Sequence, residues 1–409
     1  MLRHRLVLLL VIVLLTGLLW PLSSVAQPRV SVMHWQHFHE ARAAALRALQ
    51  TVYQQQNAGV TIQTDLPPLA QYFDKLLTAL ATGSGPDVFQ VRAEWMPILI
   101  NGGFVAAAPE AIIAEANIED FFPWTLTPFK RGNRYYGLPT DVQHLVMYIN
   151  NALAREAGLD PSKPPQTWDE LIAQARRATK RDAQGNVTQA GLDTRYKWAV
   201  YSSILYQSVF PNVVNPAAKR AEWGGAGGIA AWKVVEQLLR GATALDSPRF
   251  LPGQRKWEAK KAVFYVNHPV NRGVIEQLAP DVAYTIAPIP RTGRDLVIPA
   301  RFWAYVVNAK SRNQEAAWRW VLFLTSPAGV RTWMKEAGDL PWRQSLVRYE
   351  PNAVVRDTLK FVRPVDYTGN CDSIRDNLFD AVALTATPIE QLVADAVAKE
   401  TQCVQEALK

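Results

Sequence analysis

Cysteine is nearly absent from this chain: 409 residues contain two, Cys371 and Cys403. Neither has a neighbouring histidine, so they cannot by themselves supply the four ligands of a structural zinc site. Clustered charge is absent as well. The formal balance is +8, yet no block of five or six basic residues occurs, which argues against the basic arm or stripe of a nucleic-acid binder. Catalytic signatures are also missing. There is no nucleophile elbow, no His-Glu-x-x-His helix and no Cys-His pair, and Gly83-Ser-Gly-Pro86 is not followed by the Gly-Lys-Ser/Thr of a phosphate loop. No catalytic residue, metal or cofactor is therefore expected. A pair of hydrolytic carboxylates stays open, because any two of 36 acids could lie the right distance apart. No internal repeat and no linker rich in glycine and serine divides the chain, although its length calls for two lobes.

What is present begins with export. Arg3, His4 and Arg5 precede the apolar run Leu6 to Leu19, and Ser24-Val25-Ala26 places small residues before a cleavage point. That is the layout of a signal peptide over residues 1–26, with the mature chain starting at Gln27. The apolar run is shorter than the roughly 20 residues of a spanning helix. No cysteine stands near the cut, so a lipid anchor has no attachment atom. The expected location is periplasmic or otherwise secreted, an oxidising setting in which Cys371 and Cys403 are expected to pair. Such a bridge would contribute roughly 3–4 kcal/mol through the unfolded chain.

Periodicity then gives strands over 27–35, 60–66 and 87–91, separated by helices over 40–57 and 68–82. Strand, helix, strand, helix, strand predicts a parallel sheet with right-handed crossovers, in which ligands sit beyond the carboxyl ends of the strands. Further helices are predicted over 167–180, where Thr167 and Glu170 form a capping box, and over 228–240, 315–324, 327–337 and 389–408. Strands are predicted over 144–150, 262–266, 282–289 and 302–307.

Blocks in this order resemble the family 1 extracellular solute-binding proteins. They are Tyr72 to Phe89, Trp95, Gly102-Gly-Phe104, Tyr135 to Pro139, Met147 to Asn150, Glu156 to Leu159 and Pro164 to Leu171. Lys260 to Asn267, Ser311 to Trp318, Phe323 to Pro327 and Gly338 to Arg343 complete the set. The resemblance covers nearly the whole mature chain, with poor matches over 221–228 and 249–257. It implies a two-lobed α/β fold of the type II periplasmic-binding-protein kind, each lobe a mainly parallel sheet flanked by helices, with a ligand cleft between. Lobe one would take 27–141 and 301–325, lobe two 142–300 and 326–409, with crossings near Asp141, Arg301 and Thr325. It further implies a monomeric receptor for a sugar or oligosaccharide, with permease subunits and a cytosolic ATPase of an ABC importer as partners. A polyamine, peptide or organic anion is the alternative cargo, and a secreted carbohydrate-processing enzyme the alternative class.

Sugars present hydroxyls and an apolar C–H face, so their sites need flat rings and planar donors. Of fourteen tryptophans, Trp168, Trp232, Trp318 and Trp320 sit at helical spacings that suit core packing. Trp35 and Trp303 lie at strand ends facing the expected cleft. Residues 33–40, Met-His-Trp-Gln-His-Phe-His-Glu, place His37 and His39 on one face of an extended chain and His34 on the other. That spacing argues against a three-histidine metal site and for His37 and Glu40 beside a ligand. Arg92 and Glu94 occupy the tip after strand three, Asp141 a crossing, and Asn267 and His268 a second-lobe strand end. Arg343 matches a family position that frequently reaches the ligand.

Overall fold

The computed structural model describes residues 30–211, 213–365, 369 and 371–408; the expected signal peptide and the cleavage point lie outside the described residues. Val30–Trp35 (β1) leads into the helix Glu40–Gln56 (α1), then Val60–Asp65 (β2), the helix Leu69–Thr82 (α2) and Val88–Arg92 (β3). β1 pairs in parallel with β2 on one side and β3 on the other. The apolar spacing of α1 buries Leu46, Leu49 and Tyr53, and that of α2 buries Tyr72, Leu76 and Leu80. Gly83 ends α2 at φ 77, a left-handed conformation that glycine adopts without steric cost.

Leu138–Gln143 (β4) and Val146–Asn150 (β5) follow almost without a break but belong to different sheets, so the chain crosses at His144-Leu145. The helix Trp168–Ala178 (α3) starts with the expected cap: Thr167 Oγ1 accepts from the Glu170 N–H at 3.2 Å, and the Glu170 carboxylate accepts from the Gln166 N–H at 2.7 Å. Val187–Asp193 (β6), the helix Lys197–Val209 (α4) and the helix Ala226–Leu239 (α5) come next, then Ala262–Asn267 (β7), the helix Asn271–Leu278 (α6) and Tyr284–Pro288 (β8). Ile298–Val307 (β9) returns to the first sheet. It is followed by the helices Gln314–Thr325 (α7) and Pro327–Ala337 (α8), the strand Val362–Pro364 (β10), and the helices Ser373–Leu384 (α9) and Ile389–Ala407 (α10).

The first sheet runs β10-β9-β3-β1-β2, with β4 also paired to β9, and the second runs β8-β5-β7-β6 with Lys180–Arg181 at its edge. This is the expected two-lobed α/β architecture. Both sheets are mixed: parallel pairing holds for β1 with β2 and β3, β7 with β6, and β9 with β10, and the strands on either side of a crossing pair antiparallel. A strand that enters a sheet from the other lobe arrives without a crossover helix, so nothing obliges it to run parallel.

β6 and α4 were not read from the sequence. Gly191 and Gln189 interrupt the apolar pattern of β6, and Gly191 is needed there. A Cβ on it would lie 2.1 Å from the Ala175 carbonyl oxygen of α3, which packs directly on the strand. α8 packs on α1, whereas α9 and α10 pack on α4 and α5. Cys371 and Cys403 are joined, with Cα atoms 5.7 Å apart, and tie the start of α9 to α10. Trp168, Trp232, Trp318 and Trp320 are buried in the core. Among the described residues no helix is long and apolar enough to cross a membrane.

A buried charge cluster ties the crossing to the first lobe. Arg42 of α1 grips Asp339, just beyond α8, through Nε at 3.0 Å and Nη2 at 2.7 Å, and Nη2 also contacts the Asp141 carboxylate on β4. All three side chains are almost fully enclosed. Two carboxylates share one guanidinium, so burial pushes Asp141 up to about 7 despite the Arg42 charge, and Asp339 also rises. The unfolded carboxylate titrates near 4, so between about 4 and 7 the folded state binds a proton that the unfolded chain does not, and this contribution to stability falls as pH rises through that window. Arg42→Met, which strands both carboxylates, should cost about 3–5 kcal/mol at pH 8. Its deficit relative to wild type should shrink as pH is lowered toward 5, and Asp339→Asn should cost less than half as much. Urea unfolding at several pH values measures this; a deficit that is constant with pH would show that the carboxylates are not what Arg42 holds.

Candidate functional site: the cleft between the sheets

The tips of the two sheets enclose a cavity of about 380 Å³ lined from both sides. From the first lobe come His37, His39 and Glu40 around the β1–α1 junction, Arg92 at the end of β3, and Arg301 and Trp303 on β9. From the second come Arg195 and Tyr196 after β6, Tyr265 and Asn267 on β7, and His268 beyond it. These are carboxyl ends of β1, β3, β6 and β7, where α/β sheets place ligands.

Each wall is pre-set by its own hydrogen bonds. His268 Nδ1 lies 2.9 Å from the His144 carbonyl oxygen and therefore carries the proton, which leaves Nε2 to accept from the Tyr196 hydroxyl at 2.8 Å. That bond holds the half-buried Tyr196 ring at the cavity surface. The Tyr265 oxygen accepts twice, from Arg195 Nη2 and from Asn267 Nδ2, each at 2.7 Å. Its own hydroxyl proton is not spent on either of these bonds. Opposite, the Trp303 ring stacks on His37 at 4.3 Å between centroids with 22° between planes, and the Arg92 guanidinium lies over the same ring at 5.2 Å. Trp303 is only 6% exposed. It serves as the bed for His37 and Arg92 more than as an open platform. Desolvation lowers His39 to about 4 and His268 to about 3, and holds His37 well below its ordinary value, so all three rings are neutral at pH 7.

Of the residues singled out from sequence, His37, Glu40, Arg92, Asn267, His268 and Trp303 meet in this cavity. Asn267 is partly spent on its own strand, since its oxygen accepts from the His268 N–H at 2.8 Å. Four others are placed elsewhere. Trp35 is not among the residues lining the cavity; it packs beside α2 and carries Lys75 Nζ over its ring at 4.5 Å. Asp141 is enclosed in the Arg42 cluster, where it also accepts from the Trp303 N–H at 3.0 Å. Glu94, 4% exposed, sits 3.3 Å from Arg301 Nε. Arg343, 1% exposed, donates to the carbonyl oxygens of Thr325 at 2.7 Å and Ala116 at 2.9 Å and to Asp120 at 3.3 Å, and lies over Phe121. Its fork pins the loop after α8 to the end of the helix Glu110–Ala116.

His34 belongs to the core. The Trp320 indole donates to its Nδ1 at 3.0 Å, so Nε2 carries the proton and faces Gln36 Oε1 at 3.4 Å, an oxygen that also accepts from the Tyr305 hydroxyl at 2.7 Å. Among the described residues no group of three or more His, Cys, Asp or Glu is placed to hold a metal ion. Sequence reading did not find Arg42, Arg195, Tyr196, Arg255 and Tyr265, all of which line the cavity. The rule that located His37 and Arg92 would have found Arg195 and Tyr196, had Val187–Asp193 been recognised as a strand.

Known proteins share this fold. A solute-binding protein of an ABC transporter from Thermotoga lettingae, solved with alpha-D-tagatose, superposes with a TM-score of 0.79 at 20% identity over 92% of this chain and all of that one. A binding protein of Brucella abortus is 22% identical over 305 residues, 72% of this chain and 71% of its own. An arabinooligosaccharide-binding protein of Halalkalibacterium halodurans is 30% identical over 115 residues, 28% of this chain and 25% of its own. The model of the bacterial extracellular solute-binding proteins matches residues 39–331, most of the length over which the two sheets and their cleft are built, and the chain belongs to that family.

Proposed function

We propose that this protein is an exported receptor that captures a sugar or oligosaccharide between its lobes and delivers it to the permease subunits of an ABC importer powered by a cytosolic ATPase. The observation that carries this reading is the cavity itself. Its two walls come from different sheets, and the polar atoms it offers, the Tyr265 hydroxyl, the histidine nitrogens and the Arg92 fork, suit a hydroxyl-bearing guest. The half-buried Tyr196 ring supplies a flat face for C–H groups. The Thermotoga and Halalkalibacterium relatives are described with sugars as ligands, which supports the same class here.

On this reading the protein makes and breaks no bonds. Cleavage of residues 1–26 releases it from the membrane as a monomer, and the cargo alternatives are a polyamine, a peptide or an organic anion. Lobe one takes 27–141 and 301–325, and the packing of α8 on α1 favours moving that helix with it. Lobe two takes 142–300 and the remainder from α9 onward. A ligand that touches both walls binds the closed form better than the open one, and that difference alone drives closure.

Titration calorimetry against a panel of neutral sugars, sugar acids, polyamines and peptides tests the cargo, with small-angle scattering to follow closure. Binding of a saccharide with a reduced radius of gyration is the expected result; tight binding confined to amines or peptides would sink the sugar assignment. For the bound saccharide, Tyr196→Ala should weaken affinity about tenfold, near 1.4 kcal/mol, whereas Trp35→Ala should leave it within threefold. Arg343→Met should lower stability by about 3 kcal/mol through the stranded Asp120 and carbonyl groups and leave the affinity unchanged. A drop in affinity without loss of stability would return Arg343 to the ligand.

A further inference from the structure

The cavity is lined by five arginines and a single carboxylate, that of Glu40, which is exposed at the mouth. Two of the arginines are paired with two carboxylates each. Arg42 is shared by Asp141 and Asp339, and Arg301 contacts both Glu94 and Asp372 while resting on Trp198 at 4.4 Å. The other three are not. Arg195 and Arg255 compete for Glu258, at 3.9 and 4.0 Å, the outer limit of an ion pair. Nearby Asp193 is already occupied by the Arg195 and Trp257 backbone N–H groups.

Arg92 has no carboxylate within ion-pair distance among the described residues. Its guanidinium is cradled by Trp95 and Trp303, at 5.4 and 5.2 Å, and its Nε is buried with no acceptor. A buried charged donor without an acceptor costs more than the 1–3 kcal/mol of a neutral one, and cation–π contact with two rings offsets only part of that. Burial and the neighbouring Arg301 lower Arg92 to about 10, which leaves it charged at neutral pH. Arg92 is on the first lobe and Arg195 and Arg255 on the second, so bringing the lobes together also brings like charges together.

We propose that the cargo is an acidic saccharide, a sugar carrying a carboxylate or phosphate group, whose anion sits on Arg92 and serves as the counter-ion between the two basic walls. The planar fork suits either oxyanion. The Tyr265 hydroxyl and the ring of Tyr196 then hold the sugar ring itself. This rests on the saccharide reading above and narrows it.

The test is titration of the whole mature protein with D-galacturonate, its dimer, D-glucuronate and glucose 6-phosphate, set beside D-galactose, D-glucose, citrate and inorganic phosphate, at low and at about 0.3 M salt. At least one acidic sugar should bind ten-fold or more tighter than its neutral counterpart, with an advantage that shrinks in salt. Carboxylate and phosphate arms identify which anion is read. Arg92→Gln should abolish the advantage, Arg92→Lys should keep part of it, and the melting temperature of ligand-free Arg92→Gln should stay close to wild type, because the two ring contacts it loses are offset by relief of a buried charge that has no ion-pair partner. Neutral sugars binding as tightly as their acids, unaffected by Arg92→Gln, would overturn the inference and leave the sugar receptor standing. Citrate or phosphate binding with no sugar bound would overturn the saccharide reading as well, and failure of every acidic probe counts against the inference.

Discussion

The buried guanidinium of Arg42 is the constraint on which the cleft depends. It joins α1, the strand that crosses between lobes and the segment after α8 through two carboxylates. None of these segments is near another in sequence, so their common charge centre fixes how the crossing leaves the first sheet. Asp141 then passes that placement on by accepting the Trp303 N–H, which sets the ring beneath His37 and Arg92. A single surplus carboxylate in this cluster is costly in isolation. It is tolerated because the same residues position the first-lobe wall of the cavity.

The charged residues around the cleft divide by whether the protein itself supplies their partners. Glu94, Asp141 and Arg343 are each enclosed with a counter-charge beside them. Arg92 has rings instead of an acid beside it. Location in the fold narrows the candidates, and a counter-charge within ion-pair distance then separates a staple from a contact. The histidines follow the same logic. His34 and His268 have both ring nitrogens engaged, whereas Nδ1 of His37 and of His39 is buried without a partner.

Much of the fold was legible because the elements that carry it have clean periods. α1, α2, α3, α7, α8 and α10 begin or end within about two residues of the apolar spacing that announces them. The first-lobe wall was legible too: β1 alternates and β3 is a short buried run set off by Gly83-Ser-Gly-Pro86, so their tips could be found. The second-lobe wall was half lost with β6, whose glycine exists to admit a helix and whose glutamine breaks the alternation. Trp35 illustrates a different limit. Strand alternation fixes that Trp35 and His37 share a parity, but the chain leaves the sheet after Trp35, so His37 turns to the cavity while Trp35 stays beside α2. Charge pairing across hundreds of residues, as between Arg42 and Asp339, leaves no local signal in a single sequence.

The interface between the lobes bears on how binding and closure are coupled. Where α6 of the second lobe meets the first, Gly273 lies so near α1 and α8 that a Cβ on it would reach Ala41 Cβ at 3.8 Å and the Ala337 carbonyl at 3.7 Å. These are ordinary contacts of small groups. The cavity walls add like charge from Arg92, Arg195 and Arg255. Like charge on facing walls opposes their approach unless something between them neutralises it. Since observed affinity is the intrinsic affinity scaled by the population able to close, a guest that neutralises the walls gains twice, by its own bonds and by removing the repulsion that opposed closure. In such a design selectivity is decided in the closing step, because a guest that fits one wall but leaves the facing charges bare cannot bring the second wall to it.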